Sequence, residues 1–365
     1  MLRRVSLILV AFATLAVLIV LADIELLFQV LNALPVSTLA LLLGIFLAGS
    51  VLKSFRWAFY LRSAQLDIRW RDGLTSFLAG MTTSPLPGGS WLAPRLAQEH
   101  GHVRMRQAAP ALFVSFIADA LTLPLTVLAL FVILDQPSYS FAIPAIGIAL
   151  GLVMLAMGRS TRVWNLVARL LDRTRFTRGW LPKERDIQRR VQALMRPRVL
   201  LGGIAFSLGA TLLSAAFMMT LVVALTFRGI TPGEALWVHT VSETASIAIP
   251  IPGGFGVTDS SIAGLLNQYG IGLQRATFLA LVLRSSEAGF RVFFGSLVLF
   301  VRYDRFLLNV LDLRGRTRGA YKHACKVPGV RQAFGPVVNA LRTRFPRSIA
   351  TVSDSPPIEK PTLSD

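Results

Sequence analysis

The chain has 365 residues, 53% of them hydrophobic, with a mean hydropathy of +0.59. Its apolar runs exclude an ordinary soluble domain and point to a polytopic membrane protein. The formal net charge of +19 gathers between apolar segments and at the termini. It forms no basic patch with interleaved aromatics, so nucleic acid is not an expected partner.

The first apolar run, near 5–22, follows Arg3 and Arg4. It is long for a signal peptide and lacks a convincing cleavage site before Asp23 and Glu25, so it reads as an uncleaved first span. Further spans are predicted near 36–62, 107–134, 139–158, 199–227 and 275–301, about six in all. Two shorter apolar stretches, about 72–100 and 233–272, are each interrupted, by PLPGG at Pro85–Gly89 and by PIPGG at Pro250–Gly254. From Tyr303 the chain is polar and basic and ends in SDSPPIEKPTLSD, a composition that predicts disorder.

Charge sets the expected topology. Residues 159–198 hold twelve Lys or Arg against three acids, whereas 22–35 and 135–141 hold no basic residue. If both interrupted stretches enter the bilayer and return on the same side, then Arg3, Arg4, the basic loop and the tail all face the cytoplasm. Non-helical backbone at that depth must be buried in protein or line a cavity.

The interrupted stretches also belong to an internal repeat. Leu66–Leu74 aligns with Arg228–Leu236, each ahead of its Pro-Gly-Gly, and Gln107–Asp119 aligns with Arg275–Glu287. Three spans separate the two breaks, so the repeats, about 36–135 and 199–302, are expected to be inverted. The fold class is therefore all-α and polytopic: about six full transmembrane helices with two re-entrant broken-helix hairpins. A transmembrane domain over 1–302, with a cytoplasmic basic loop at 159–198, is followed by a basic, partly disordered cytoplasmic tail at 303–365.

The breaks supply candidate binding groups. Pro87, Gly88 and Gly89, with Pro252, Gly253, Gly254 and Gly256, end one helix and allow a sharp turn into another. The helix that follows offers free N–H groups and a positive dipole end to phosphate or carboxylate. Thr258, Ser260 and Ser261 are placed to cap that turn or to donate to a head group. Asp259 either caps the helix or competes with a bound anion, taking up a proton when the anion enters. The structural alternative for both breaks is a pair of kinks.

Charged groups within spans are the second signal. Arg284, Glu287 and Arg291 are spaced by three and four residues, so one helical face carries all three. Glu287 lies roughly 18 Å along the helix from Arg275, near mid-membrane, and Asp119 lies at a similar depth. The arginines suit a lipid phosphate, while Asp119 and Glu287 suit proton relay or a cationic head group; the alternative is a helix-to-helix salt bridge. Glu243, one turn from His239, is a weaker relay candidate. Arg95 follows the first break and either binds a head group or snorkels. Lys53, Arg56 and Arg62 read as topological anchors, and Trp57, Trp70, Trp91 and Trp237 as interfacial belt residues.

Other chemistry finds little support. Cys325 is the only cysteine, and His100 and His102 have no nearby third ligand, so no metal or other cofactor is expected. There is no Walker A sequence.

In three places the chain resembles the transmembrane region of lysylphosphatidylglycerol synthases and related stand-alone flippase-like membrane proteins. They are KSFRWAFYLRSA (Lys53–Ala64), PLPGGSWLAPRLAQEHG (from Pro85) and PIPGGFGVTDSSIAGLL (from Pro250), and the resemblance spans roughly residues 5–302. The family pattern often carries an acid before the arginine of the first element, where this chain has Trp91, Leu92 and Ala93. In the second element Thr258-Asp259 stands for the family's Arg-Glu. The synthases also use a soluble domain to transfer lysine from tRNA. Residues 303–365 are too few for one, so this chain alone is not expected to be an aminoacyltransferase.

The resemblance implies translocation of a phospholipid or lipid-linked, anionic head group between leaflets of a bacterial-type inner membrane. The alternatives are a membrane-embedded head-group transferase and an accessory subunit of envelope biosynthesis. Expected partners are membrane lipids or a lipid carrier, with the basic loop and tail on an anionic lipid surface. Homo-oligomerisation or an envelope-biosynthesis partner is left open by the residues.

Overall fold

The computed structural model describes residues 34–84, 89–101, 103–133, 142–165, 185–226, 229–248 and 256–303. The predicted first span, the tail and residues 85–88 and 249–255 of the two breaks lie outside the described residues. Every regular element among the described residues is helical. Long apolar runs with few helix breakers leave the backbone no better way to satisfy its N–H and C=O groups in hydrocarbon.

Helix α1 spans Val36–Ser63, α2 Trp70–Gly80, α3 Leu92–Gly101 and α4 Met105–Ile133. Helices α5 (Ala142–Arg159) and α6 (Arg185–Leu194) precede α7 (Pro197–Thr226), and α8 (Pro232–Ala248), α9 (Val257–Gln268) and α10 (Leu273–Arg302) complete the series. Three helical segments, 36–63, 107–133 and 197–226, are long and apolar enough to cross a membrane. Helix α10 has 30 residues, about 45 Å, but charges interrupt its apolar character.

The helices around the breaks are short. At 1.5 Å per residue, α2 and α3 are each about 15 Å long, α9 about 18 Å and α8 about 25 Å, all less than a hydrocarbon core of about 30 Å. Helix α2 packs on α3, and α8 packs on α9. Local chemistry sets their ends. Thr231 and Glu234 form a capping box ahead of α8, with Thr231 N–H to Glu234 Oε2 at 2.7 Å and Glu234 N–H to Thr231 Oγ1 at 3.2 Å. Proline at the first position of α8 forgoes an N–H that would be unpaired anyway.

Two apolar clusters organise the packing. Trp57, Tyr60 and Leu61 of α1 join Ala97 of α3, Ala111 and Ile117 of α4, and Leu194 of α6. Leu42 of α1 joins Phe217 and Leu221 of α7, Val238 of α8, Leu266 of α9, and Leu279 and Leu283 of α10. Helix α1 therefore serves both clusters and packs along α7. Helix α10 packs on the 3-10 turn Met81–Thr83 that ends α2, which brings the first break beside the second half of the chain.

The tryptophans divide. Trp70 and Trp91 are 41% and 45% exposed, compatible with an interfacial belt, but Trp57 and Trp237 are fully buried. Trp57 Nε1 donates to Ser76 Oγ at 3.1 Å, so its polar edge is satisfied inside the protein.

Candidate functional site

The two breaks end at one cavity. On the first side, Ser84 N–H bonds the Met81 carbonyl at 3.1 Å, and Gly89 is the next described residue. Thr83 Oγ1 donates to the Gly89 carbonyl at 2.7 Å and ties the two ends of the break together. A Cβ at position 89 would overlap the Thr83 carbonyl oxygen, so this close approach requires glycine.

On the second side, Gly256 has φ of 84°, a left-handed conformation that turns the chain into α9. Its N–H donates to Asp259 Oδ2 at 3.0 Å. Asp259 is therefore a helix-capping residue, in the first turn, where the dipole favours a carboxylate. Its other oxygen, Oδ1, accepts from Arg284 Nη1 of α10 at 3.1 Å.

Ser84, Thr258 and Asp259 all line a cavity of about 370 Å³. His239 and Glu243 of α8 line it as well, as do Arg284, Glu287 and Arg291 of α10 and Phe116 of α4. The i, i+3, i+7 spacing on α10 thus delivers its three charges to one space, as the sequence predicts. The volume falls within the range of about 300–1,000 Å³ common for small-molecule sites.

Its charges are largely matched. Arg284 bonds Asp259 as described, and Arg291 Nη2 donates to Glu287 Oε2 at 2.6 Å. Both pairs are partly buried. The cavity is therefore lined by opposed charges rather than by a net positive wall.

Asp119 is held elsewhere. It forms a two-pronged ion pair with Arg56 of α1, with Arg56 Nη2 donating to Asp119 Oδ2 at 2.9 Å and a second contact from Nη1 to Oδ1. Ser207 of α7 donates to Asp119 Oδ1 at 3.0 Å and also meets Arg56 Nη1. This knot joins α1, α4 and α7, and Asp119 is not among the residues lining the cavity. Arg56 is only 4% exposed, so the anchoring role expected from sequence is wrong: its charge lies inside the protein against a carboxylate.

Arg95 has a half-exposed side chain beside Gln98 at 3.2 Å and Glu99 at 3.8 Å, and does not line the cavity. Of the other predicted residues, Pro87, Gly88, Pro252, Gly253 and Gly254 lie outside the described residues. No group of three or more metal-ligating side chains occurs among the described residues.

A model of the family described as lysylphosphatidylglycerol synthase TM region matches residues 7–295. Neither curated proteins nor solved structures gave a match. The family match covers the membrane region. The chain is therefore a membrane protein that belongs to the lysylphosphatidylglycerol synthase TM region family.

Proposed function

We propose that this protein translocates a phospholipid or a lipid-linked, anionic head group between leaflets, with the cavity as its polar path. The two broken elements enter from opposite membrane faces as re-entrant hairpins of an inverted repeat, and the acyl chains stay in lipid. One observation carries the reading: Ser84, at the edge of the first break, and Thr258 and Asp259, just after the second, line the same cavity. Sites between inverted repeats at mid-membrane suit alternating access, because either half can rock about a fixed centre.

In this reading Pro87, Gly88, Gly89, Pro252, Gly253, Gly254 and Gly256 shape the backbone around the head group, and Thr258 donates to it. Arg284 and Arg291 take the phosphate by opening their pairs with Asp259 and Glu287. Glu243 and Glu287 accept the proton or cation that keeps the exchange electrically balanced, since an uncompensated charge in a low-dielectric site is costly. Asp119 contributes to coupling through its contact with α1, and Arg95 gathers head groups at the cytoplasmic mouth. Both termini and the basic loop lie on the cytoplasmic side, where they contact anionic lipid. No catalytic step is assigned to the chain.

Reconstitution tests this. Vesicles carrying the purified protein and leaflet-selective fluorescent phospholipids or polyprenyl phosphates are expected to exchange at least one of them faster than protein-free vesicles. Glu287→Gln is expected to slow that exchange while the protein stays folded. Folded protein that exchanges none of these lipids would overturn the assignment.

A further inference from the structure

We infer that Lys53 is the first residue to receive the phosphate of the guest, ahead of Arg284 and Arg291, an inference that rests on the translocation reading and names one binding group within it. Lys53 lies ten residues before the end of α1 at Ser63, about 15 Å along the helix. Helix α1, 28 residues and about 42 Å long, exceeds a hydrocarbon core of about 30 Å by about 12 Å, so Lys53 falls inside the core when α1 spans it. An ammonium so placed is expected to have a partner or to face a polar cavity.

Lys53 lines a small chamber of about 40 Å³ together with Ser50, Ser214, Glu287 and Arg291. Glu287 and Arg291 also line the larger cavity, so their ion pair stands in the wall shared by the two spaces. A volume of this size holds a few waters or one small oxyanion, since a water needs about 10–15 Å³ by this kind of measure.

The neighbouring cations are already engaged: Arg56 with Asp119, Arg284 with Asp259 and Arg291 with Glu287. Lys53 forms no ion pair within 4.0 Å among the described residues. Arg291 and Arg56 repel it through space, and Glu287 and Asp119 attract it. An incoming phosphate therefore gains most at Lys53, where no resident carboxylate must first be displaced. The hydroxyl-bearing residues Ser50 and Ser214 bring donor chemistry suited to phosphate oxygens. The head group then sits in the larger cavity, and its phosphate reaches past the Glu287–Arg291 pair into the small chamber.

The test uses the purified full chain in detergent with acyl-labelled phosphatidylglycerol as the probe, competed by diacylglycerol or by inorganic phosphate. Loss of one charge-assisted contact is expected to weaken binding about tenfold or more in Lys53→Met, with Lys53→Arg close to wild type. Equal binding by wild type and Lys53→Met would overturn the assignment of Lys53 while leaving lipid binding intact. Absence of wild-type binding to the phospholipid would overturn both. In the unmutated protein, phosphatidylglycerol is expected to protect the Lys53 amine from acylation, whereas diacylglycerol is not, so the test survives a variant that fails to fold. Equal protection by phosphatidylglycerol and diacylglycerol, or by neither, would refute the phosphate contact. Equal protection by inorganic phosphate would refute a lipid-specific guest.

Discussion

Replacing Asp119 by leucine is expected to destabilise the protein by about 3 kcal/mol, because it strands a buried guanidinium. Arg56 is 4% exposed, so the charge left behind has almost no access to water. Breaking a buried pair from one side costs roughly 3–5 kcal/mol, and the lower end applies because the Asp119 side chain is 35% exposed. Ser207 still accepts one guanidinium N–H, which limits the loss further. Arg56→Met should cost less, about 1–2 kcal/mol, since a partly exposed carboxylate is more readily solvated or protonated. The double variant, Arg56→Met with Asp119→Leu, is expected within about 1 kcal/mol of wild type, because well-packed apolar groups often replace a buried ion pair without penalty. Unfolding in mixed micelles of increasing denaturing detergent gives all four corners of the cycle. A single Asp119→Leu variant as stable as wild type, or a double variant that loses the sum of both singles, would refute this account. The same proteins divide the two roles of Asp119. If the double variant is stable and still exchanges lipid, the knot is structural; if it is stable and inactive, Asp119 takes part in coupling.

Gly256→Ala is expected to cost about 1–2 kcal/mol, because φ of 84° is unfavourable for an L-side chain, and thermal unfolding of the reconstituted protein reads the loss. Gly89→Ala introduces a Cβ onto the Thr83 carbonyl and should open the first break, at a cost of about 1–3 kcal/mol. Protease susceptibility near Ser84 checks this, and an unchanged digestion pattern counts against it. Ser84→Cys and Thr258→Cys, each introduced after Cys325→Ser, are expected to react with a water-soluble thiol reagent and to be protected together by a bound lipid. Labelling of neither site would contradict a shared polar cavity.

Much of the scaffold is legible from the sequence. Helices α1, α4 and α7 follow continuous apolar runs, and the breaks announce themselves by proline and glycine where helix should continue. The charged face of α10 is legible too, because helical spacing fixes which side chains share a face. Arg56 is not, since a cation close to Lys53 and Arg62 resembles a cluster at a membrane edge. Its partner lies 63 residues away in sequence, and only the packing of α1 against α4 brings them together. Trp57 and Trp237 mislead for a related reason: tryptophan suits both an interface and a core, and tertiary packing decides. The Asp259–Arg284 pair depends on the turn after α9, which periodicity alone does not specify.

The pairing of charges around the cavity constrains how a translocator would work. Two arginines already bonded to carboxylates present almost no net charge to an approaching anion, so they cannot capture a phosphate simply by attraction. Another cation, Lys53, must therefore receive it first, and a carboxylate must be neutralised before either arginine can share it. The second step requires proton uptake with each anionic head group, and the first does not. Vesicles loaded with a pH-sensitive dye distinguish them during exchange of phosphatidylglycerol. We expect a proton signal that scales with lipid exchange in wild type and disappears in Glu287→Gln. Exchange without any proton signal would exclude opening of the Arg291–Glu287 pair by protonation and leave the ammonium in the small chamber as the balancing charge.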